Sequence, residues 1–168
     1  MFHPSSERQV GYRLEGHTGH PVCNHCVNSL ENQLVVGMTV AEPASIIAAC
    51  VLTGVAGFQV LLALGTPLGR AAWGGVHRVL PLHLRLASAL SAVLLALAAW
   101  VVLARTGTVG SPWQPATLRA GTWVFFGFMT LSTIGNLASK SVLERKIMLP
   151  LAFSCAVCFF VVAISAAT

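Results

Sequence analysis

The chain has 168 residues, of which 55% are hydrophobic and 9% are charged, and its mean hydropathy is +0.76. Soluble domains carry about 25% charged residues, so this composition excludes an ordinary water-soluble domain and a disordered chain. The 10 Lys and Arg residues give a formal net charge of +5, but they lie in ones and twos, which excludes the basic stripe of a nucleic-acid-binding module. The sequence predicts an integral membrane protein whose first partner is the lipid bilayer.

The N-terminal residues 1–42 are more polar than the remainder of the chain. We therefore predict two parts, a polar N-terminal tail over residues 1–42 and a membrane domain over residues 43–168. Two alternatives stand for the tail: a disordered segment, or an extension that precedes the true translation start. In the second alternative, Met38 rather than Met1 is the start, because Met38 gives a short lead into the first apolar stretch.

Five potential metal ligands fall within residues 17–26 of this tail, namely His17, His20, Cys23, His25 and Cys26. Imidazole and thiolate groups at such spacing can form a tetrahedral zinc site, and Cys-x-x-Cys is a common half of one. The pattern favours zinc or copper as the metal. A segment with no chemistry is the favoured interpretation, and a redox pair or disulfide between Cys23 and Cys26 is the other alternative.

Four stretches without Asp, Glu, Lys or Arg follow the tail. Each is long enough to cross a hydrocarbon core of ~30 Å as a helix, and helix is the conformation that satisfies the backbone hydrogen bonds of a single segment in lipid. The predicted helices cover residues 44–65, 84–105, 119–138 and 147–166. Pro43 and Pro150 suit the first turns of the first and fourth helices. Short Gly- and Pro-rich connections make neighbouring helices antiparallel, so the predicted fold is an all-α four-helix transmembrane bundle.

Basic residues near the ends of these helices predict the orientation in the membrane. Six lie in or beside the first and third connections: Arg70, Arg78, Arg85, Lys140, Arg145 and Lys146. The opposite side has two, Arg105 and Arg119. The positive-inside rule then places the first and third connections in the cytoplasm and both termini outside it, for a multi-pass protein of the inner (plasma) membrane. In the third connection, Glu144 is expected to pair with a neighbouring base.

The predicted spans contain few polar side chains and many small ones. Small residues such as Ser88, Ala92, Gly54 and Gly57 predict close helix packing, which lipid itself does little to drive. Gln59 and Asn136 are the notable polar residues of the first and third helices. They are interpreted as interhelical hydrogen-bonding groups, with contact to a polar substrate as the alternative.

A second Cys-x-x-Cys pair, Cys155 and Cys158, lies within the fourth predicted helix. The i, i+3 spacing places both thiols on one face of the helix. A thiol oxidoreductase linked to a quinone could use such a pair. Because thiols buried among apolar groups are inert, small core side chains are the favoured interpretation.

Three stretches carry a resemblance to other proteins. The first stretch comprises Phe58-Gln59, residues 64–69 and residues 73–75. The second comprises residues 80–88. The third comprises residues 136–139, Glu144-Arg145 and Pro150. Together they resemble a group of uncharacterised small four-helix bacterial integral membrane proteins from high-GC bacteria, over about residues 38–168. The resemblance implies a four-helix fold and a membrane location. It implies no activity and no catalytic residues.

The sequence contains no nucleophile–base pair and no Gly-rich phosphate loop, so we predict no catalytic residues and no enzymatic activity. The favoured function is that of a structural or interaction component, as a homo-oligomer or with a membrane protein partner. Three alternatives remain open: an extracytoplasmic metal-binding module, a quinone-linked thiol oxidoreductase, and a subunit of a small-solute transporter.

Overall fold

A computed structural model describes residues 24–165, with side chains from residue 40 onwards. The chain divides into two units, Met1–Gln33 and Leu34–Thr168. Four α-helices make up the described part: α1 (Asn24–Ala63), α2 (Leu82–Arg105), α3 (Pro115–Ala138) and α4 (Val142–Ile164). Two short 3-10 turns, Gly69–Ala71 and Trp73–Gly75, lie between α1 and α2. There is no strand within residues 24–165, and the predicted all-α fold with four helices is confirmed.

Within the described part of the chain, three helices are long and apolar enough to cross a membrane, namely α2, α4 and the Val40–Ala63 part of α1. These three helices fit a membrane protein. α3 is as long as α2 but is not among the three, because hydroxyl and amide groups interrupt its apolar sequence. Thr122 and Thr133 donate their hydroxyl hydrogens to carbonyl oxygens of α3 itself, each at 2.8 Å, so these groups are satisfied within the helix. The predicted orientation requires four crossings and stays a prediction.

All four helices begin earlier than the sequence predicted, and α1 and α4 differ most. α1 begins at Asn24 rather than at residue 44, and α4 begins at Val142 rather than at residue 147. Pro43 and Pro150 therefore lie inside helices, and their placement in the first turns was wrong. A proline inside a helix removes one backbone hydrogen bond and need not mark a helix start.

The start of α4 has a local cause. The Ser141 side chain at its N-cap accepts a hydrogen bond from the Glu144 backbone N–H at 3.3 Å. Ser-x-x-Glu is the sequence signature of a capping box. That signature predicts a helix start at this position.

The core lies where the four helices meet, and small side chains fill much of it. Phe159 of α4 is fully buried at its centre and packs against Phe125 of α3, with ring centroids 6.1 Å apart. The other buried members are Ala48, Ala49, Leu52, Leu95, Ala98, Ala99, Val102, Met129, Cys155, Ala156 and Val162. The alanines allow close approach of the helices.

The small residues do not all face this core. Ser88 and Ala92 are buried, as the packing prediction requires. Gly54 and Gly57 of α1 are exposed, and a Cβ added to either would meet no atom within 4 Å. Packing through these two glycines was therefore a wrong prediction for the described chain.

Candidate functional site

The connection between α1 and α2, residues 64–81, folds back onto the helices. Arg85 of α2 donates from Nε to the carbonyl oxygen of Ala63 at 2.8 Å, which satisfies an orphan acceptor at the end of α1. The indole Nε1–H of Trp73 donates to Ser88 Oγ at 3.0 Å, and Ser88 is fully buried in α2. The connection is thus attached to the first turns of α2.

The same connection is bonded to the turn between α3 and α4. The Gly74 backbone N–H donates to Glu144 Oε2 at 3.0 Å, and the Ser139 hydroxyl donates to the same oxygen. The Ser141 hydroxyl donates to the carbonyl oxygen of Arg70 at 3.0 Å. The expected pairing of Glu144 with a neighbouring base is replaced by these contacts, because its carboxylate is directed across the turn at neutral donors.

Backbone geometry explains the glycines of this connection. Gly74 and Gly75 have φ of 79° and 73°, a region that glycine enters without steric cost. A Cβ on Gly75 would lie 2.8 Å from Ser141 Cβ. Glycine therefore lets the connection approach the α3–α4 turn closely. The preceding residue, Trp73, also has a positive φ, of 55°, which is uncommon for a bulky side chain.

A cavity of about 400 Å³ lies between the helices next to this connection. All four helices and the connection contribute to its wall. The polar or amphipathic lining residues are Gln59, Trp73, Ser91, Ser132, Asn136 and Glu144, and the apolar ones include Val51, Leu52, Leu95, Met129, Met148 and Cys155. Gln59 and Asn136, which the sequence predicted as polar contacts, line this same cavity.

Gln59 has an unsatisfied group in the cavity wall. Its Oε1 atom is buried and has no hydrogen-bond partner among the residues that the structure describes. Leaving a buried acceptor unpaired costs about 1–3 kcal/mol. An interhelical hydrogen bond through Oε1, the sequence interpretation, is not formed.

The thiols of α4 reach the cavity at one position. Cys155 lines it and is 2% exposed, whereas Cys158 is half-buried. Both are free cysteines, as is Cys50 on the exposed side of α1. Cys155 belongs to the packed core, in agreement with its interpretation as a core side chain.

The predicted metal ligands lie outside the part of the chain that can be assessed. His17, His20 and Cys23 precede the described residues, and the side chains of His25 and Cys26 are not described. Among the residues that are described, no group of three His, Cys, Asp or Glu residues could hold a metal ion. The zinc or copper site in the tail stays a prediction.

Sequence reasoning missed most of the cavity wall. Ser91 and Ser132 lie at half-buried helix positions. Apart from their hydroxyl groups, nothing in the sequence predicts that they line a cavity. Glu144 and Trp73 lie outside the predicted helices, so nothing local places them beside Gln59. The S-x-x-E signature at residues 141–144 was the one signal for the position of Glu144.

No protein-family model, curated protein or solved structure matches this chain.

Proposed function

We propose that this protein is an integral membrane protein that binds a small molecule in the cavity between its four helices, as a subunit that carries or presents a small solute. The observation that carries this proposal is a cavity of about 400 Å³ whose lining includes Gln59, a residue with a buried and unpaired Oε1 atom. Ligand pockets in proteins have volumes of about 300–1,000 Å³ and combine an apolar wall with a few polar groups. The cavity has both properties.

The cavity argues for this function over a purely structural or interaction role. The cavity is partly open to the surroundings, so a molecule can enter it. The buried, unpaired acceptor of Gln59 lowers stability, and a purely structural bundle gains nothing from keeping it there. A bound molecule would fill the cavity. The structural role, the thiol oxidoreductase and the tail metal site remain predictions of the sequence.

The test measures binding of a neutral fluorescent amphiphile, N-pentyl-dansylamide, to the protein in phosphatidylcholine nanodiscs. Ala152 lines the cavity, so Ala152→Phe fills it with a ring. Ala96 of α2 is exposed, so Ala96→Phe adds the same ring outside it. We expect saturable binding to the wild type and to Ala96→Phe, and binding at least about tenfold weaker to Ala152→Phe, which equals about 1.4 kcal/mol.

Empty nanodiscs provide the baseline for partition of the probe into lipid. The proposal would be overturned if the fluorescence rose linearly with probe concentration and was equal for all proteins and for empty nanodiscs. Equal saturable affinity in the two Phe variants would place binding elsewhere on the protein and would also overturn it. Size-exclusion profiles of both variants establish that each is folded before the affinities are compared.

A further inference from the structure

The cavity changes in polarity along the helix axes. On α4, Glu144 lies in the first turn and Cys155 lies further along the helix, and both line the wall. At about 1.5 Å per residue these two positions are about 16 Å apart along the axis. On α1, Gln59 lies near the C-terminal end and Val51 lies deeper. The cavity is therefore elongated, polar beside the connection and apolar towards the middle of the bundle.

The polar end of the cavity offers acceptors. Gln59 Oε1 is unpaired. The Glu144 carboxylate has two neutral donors, the Gly74 N–H and the Ser139 hydroxyl, and both bind its Oε2 atom. A carboxylate has acceptor sites on both oxygens. An occupant that donates hydrogen bonds can pair with the free acceptor sites of Glu144.

Charge narrows the chemistry of the occupant further. Both hydrogen-bond partners of the Glu144 carboxylate are neutral, so none of these contacts pairs its charge. An ammonium group has three donors and a positive charge, and hydrogen bonds between ionised partners are about twice as strong as neutral ones. A carboxylate or phosphate head would meet the like charge of Glu144 at short range and would be repelled.

Building on the ligand-binding function proposed above, we infer that the occupant is an elongated amphiphile with a protonated amine head. Its head donates to Glu144 and Gln59 beside Trp73, and its apolar body extends along α4 towards Cys155. Glu144 selects the charge of the head, and the apolar wall accepts a chain or an aromatic ring. The assigned ligand class is a primary-amine amphiphile.

Three probes with the same dansyl body test this inference in phosphatidylcholine nanodiscs, which have no net lipid charge. Monodansylcadaverine ends in an ammonium, N-pentyl-dansylamide ends in a methyl, and 6-(dansylamino)hexanoic acid ends in a carboxylate. We expect the ammonium probe to bind the wild type about tenfold more tightly than the methyl probe, and the carboxylate probe to bind most weakly.

Glu144→Gln keeps a side-chain acceptor for the Gly74 N–H but removes the charge. It should reduce the ratio of the ammonium and methyl affinities to about one, because both heads then meet an uncharged side chain. Glu42→Gln is the matched control, because Glu42 is an exposed carboxylate at the start of the first span and does not line the cavity. It should preserve the wild-type ratio.

The outcomes separate the two proposals. If no probe shows saturable binding to the wild type, the ligand-binding function itself is overturned. If the methyl probe binds and the ammonium probe binds no more tightly, the amine inference fails and the ligand-binding function stands. The wild-type order of the three probes decides this even if Glu144→Gln does not fold. If Glu42→Gln also abolishes the tighter binding of the ammonium probe, the preference comes from general surface charge, and the inference is contradicted.

Discussion

The indole N–H of Trp73 donates to the buried hydroxyl of Ser88 at 3.0 Å. Because Trp73 lines the cavity, this bond fixes part of the cavity wall to α2. The next residue, Gly74, is bonded to Glu144 of α4. Two adjacent residues of one connection thus join two helices at the polar end of the cavity.

Replacement of Ser88 by alanine should weaken the attachment of the connection to α2. Loss of one hydrogen bond lowers stability by about 0.5–1.5 kcal/mol. Ser154→Ala is the control, because the Ser154 hydroxyl is exposed and bonds only to the Pro150 carbonyl of its own helix. Thermal unfolding in detergent should show a lower midpoint for Ser88→Ala than for Ser154→Ala. Equal midpoints would mean that the Trp73 bond adds nothing to stability.

Two glycines with nearly the same backbone geometry separate strain from steric contact. Gly75 and Gly107 have φ of 73° and 76°, so alanine at either position should cost about 1–2 kcal/mol in backbone strain. A Cβ on Gly75 also meets Ser141 at 2.8 Å, whereas one on Gly107 meets no atom within 4 Å. Gly75→Ala should therefore be the less stable variant by chemical denaturation. The reverse order would contradict the close approach of the connection to the α3–α4 turn.

Two phenylalanines of α4 test the position of the core. Phe159 is fully buried and Phe153 is 59% exposed. Phe159→Ala leaves a cavity and should lower the free energy of unfolding by about 3–5 kcal/mol, because the loss of packing does not depend on water. The Phe153 side chain faces the surroundings, so Phe153→Ala should change the free energy of unfolding by about 0.5 kcal/mol or less. Similar losses for both variants would show that α4 is rotated relative to the core described above.

The thiols of α4 should differ in reactivity. In a background with Cys23, Cys26 and Cys50 replaced by serine, variants that retain only Cys155 or only Cys158 are treated with N-ethylmaleimide in the folded state. Cys155 is 2% exposed and Cys158 is half-buried, so Cys155 should react more slowly and react fully only after denaturation in SDS. Mass spectrometry measures the extent of modification. Rapid modification of Cys155 in the folded protein would contradict its position in the packed core.

The amino-acid sequence alone determined the four helices and the membrane character. A long apolar stretch without charges can satisfy its own backbone hydrogen bonds in lipid by forming a helix. The C-terminal ends of α2 and α3, Arg105 and Ala138, were predicted at the same residues. All four starts were predicted too late. The difference is largest in α1 and α4, where proline was interpreted as a helix start. Capping by Ser141, a local signal in the sequence, fixes the start of α4.

The candidate site was decided by the tertiary structure. Gln59 and Asn136 were identified from the sequence because amides are rare in apolar spans, but their shared cavity depends on how α1 and α3 pack. Glu144 and Trp73 join them only because residues 64–81 fold back onto the bundle through bonds to Ser88 and the α3–α4 turn. Such contacts join residues distant in the chain, and local sequence patterns carry no information about which distant donors and acceptors meet.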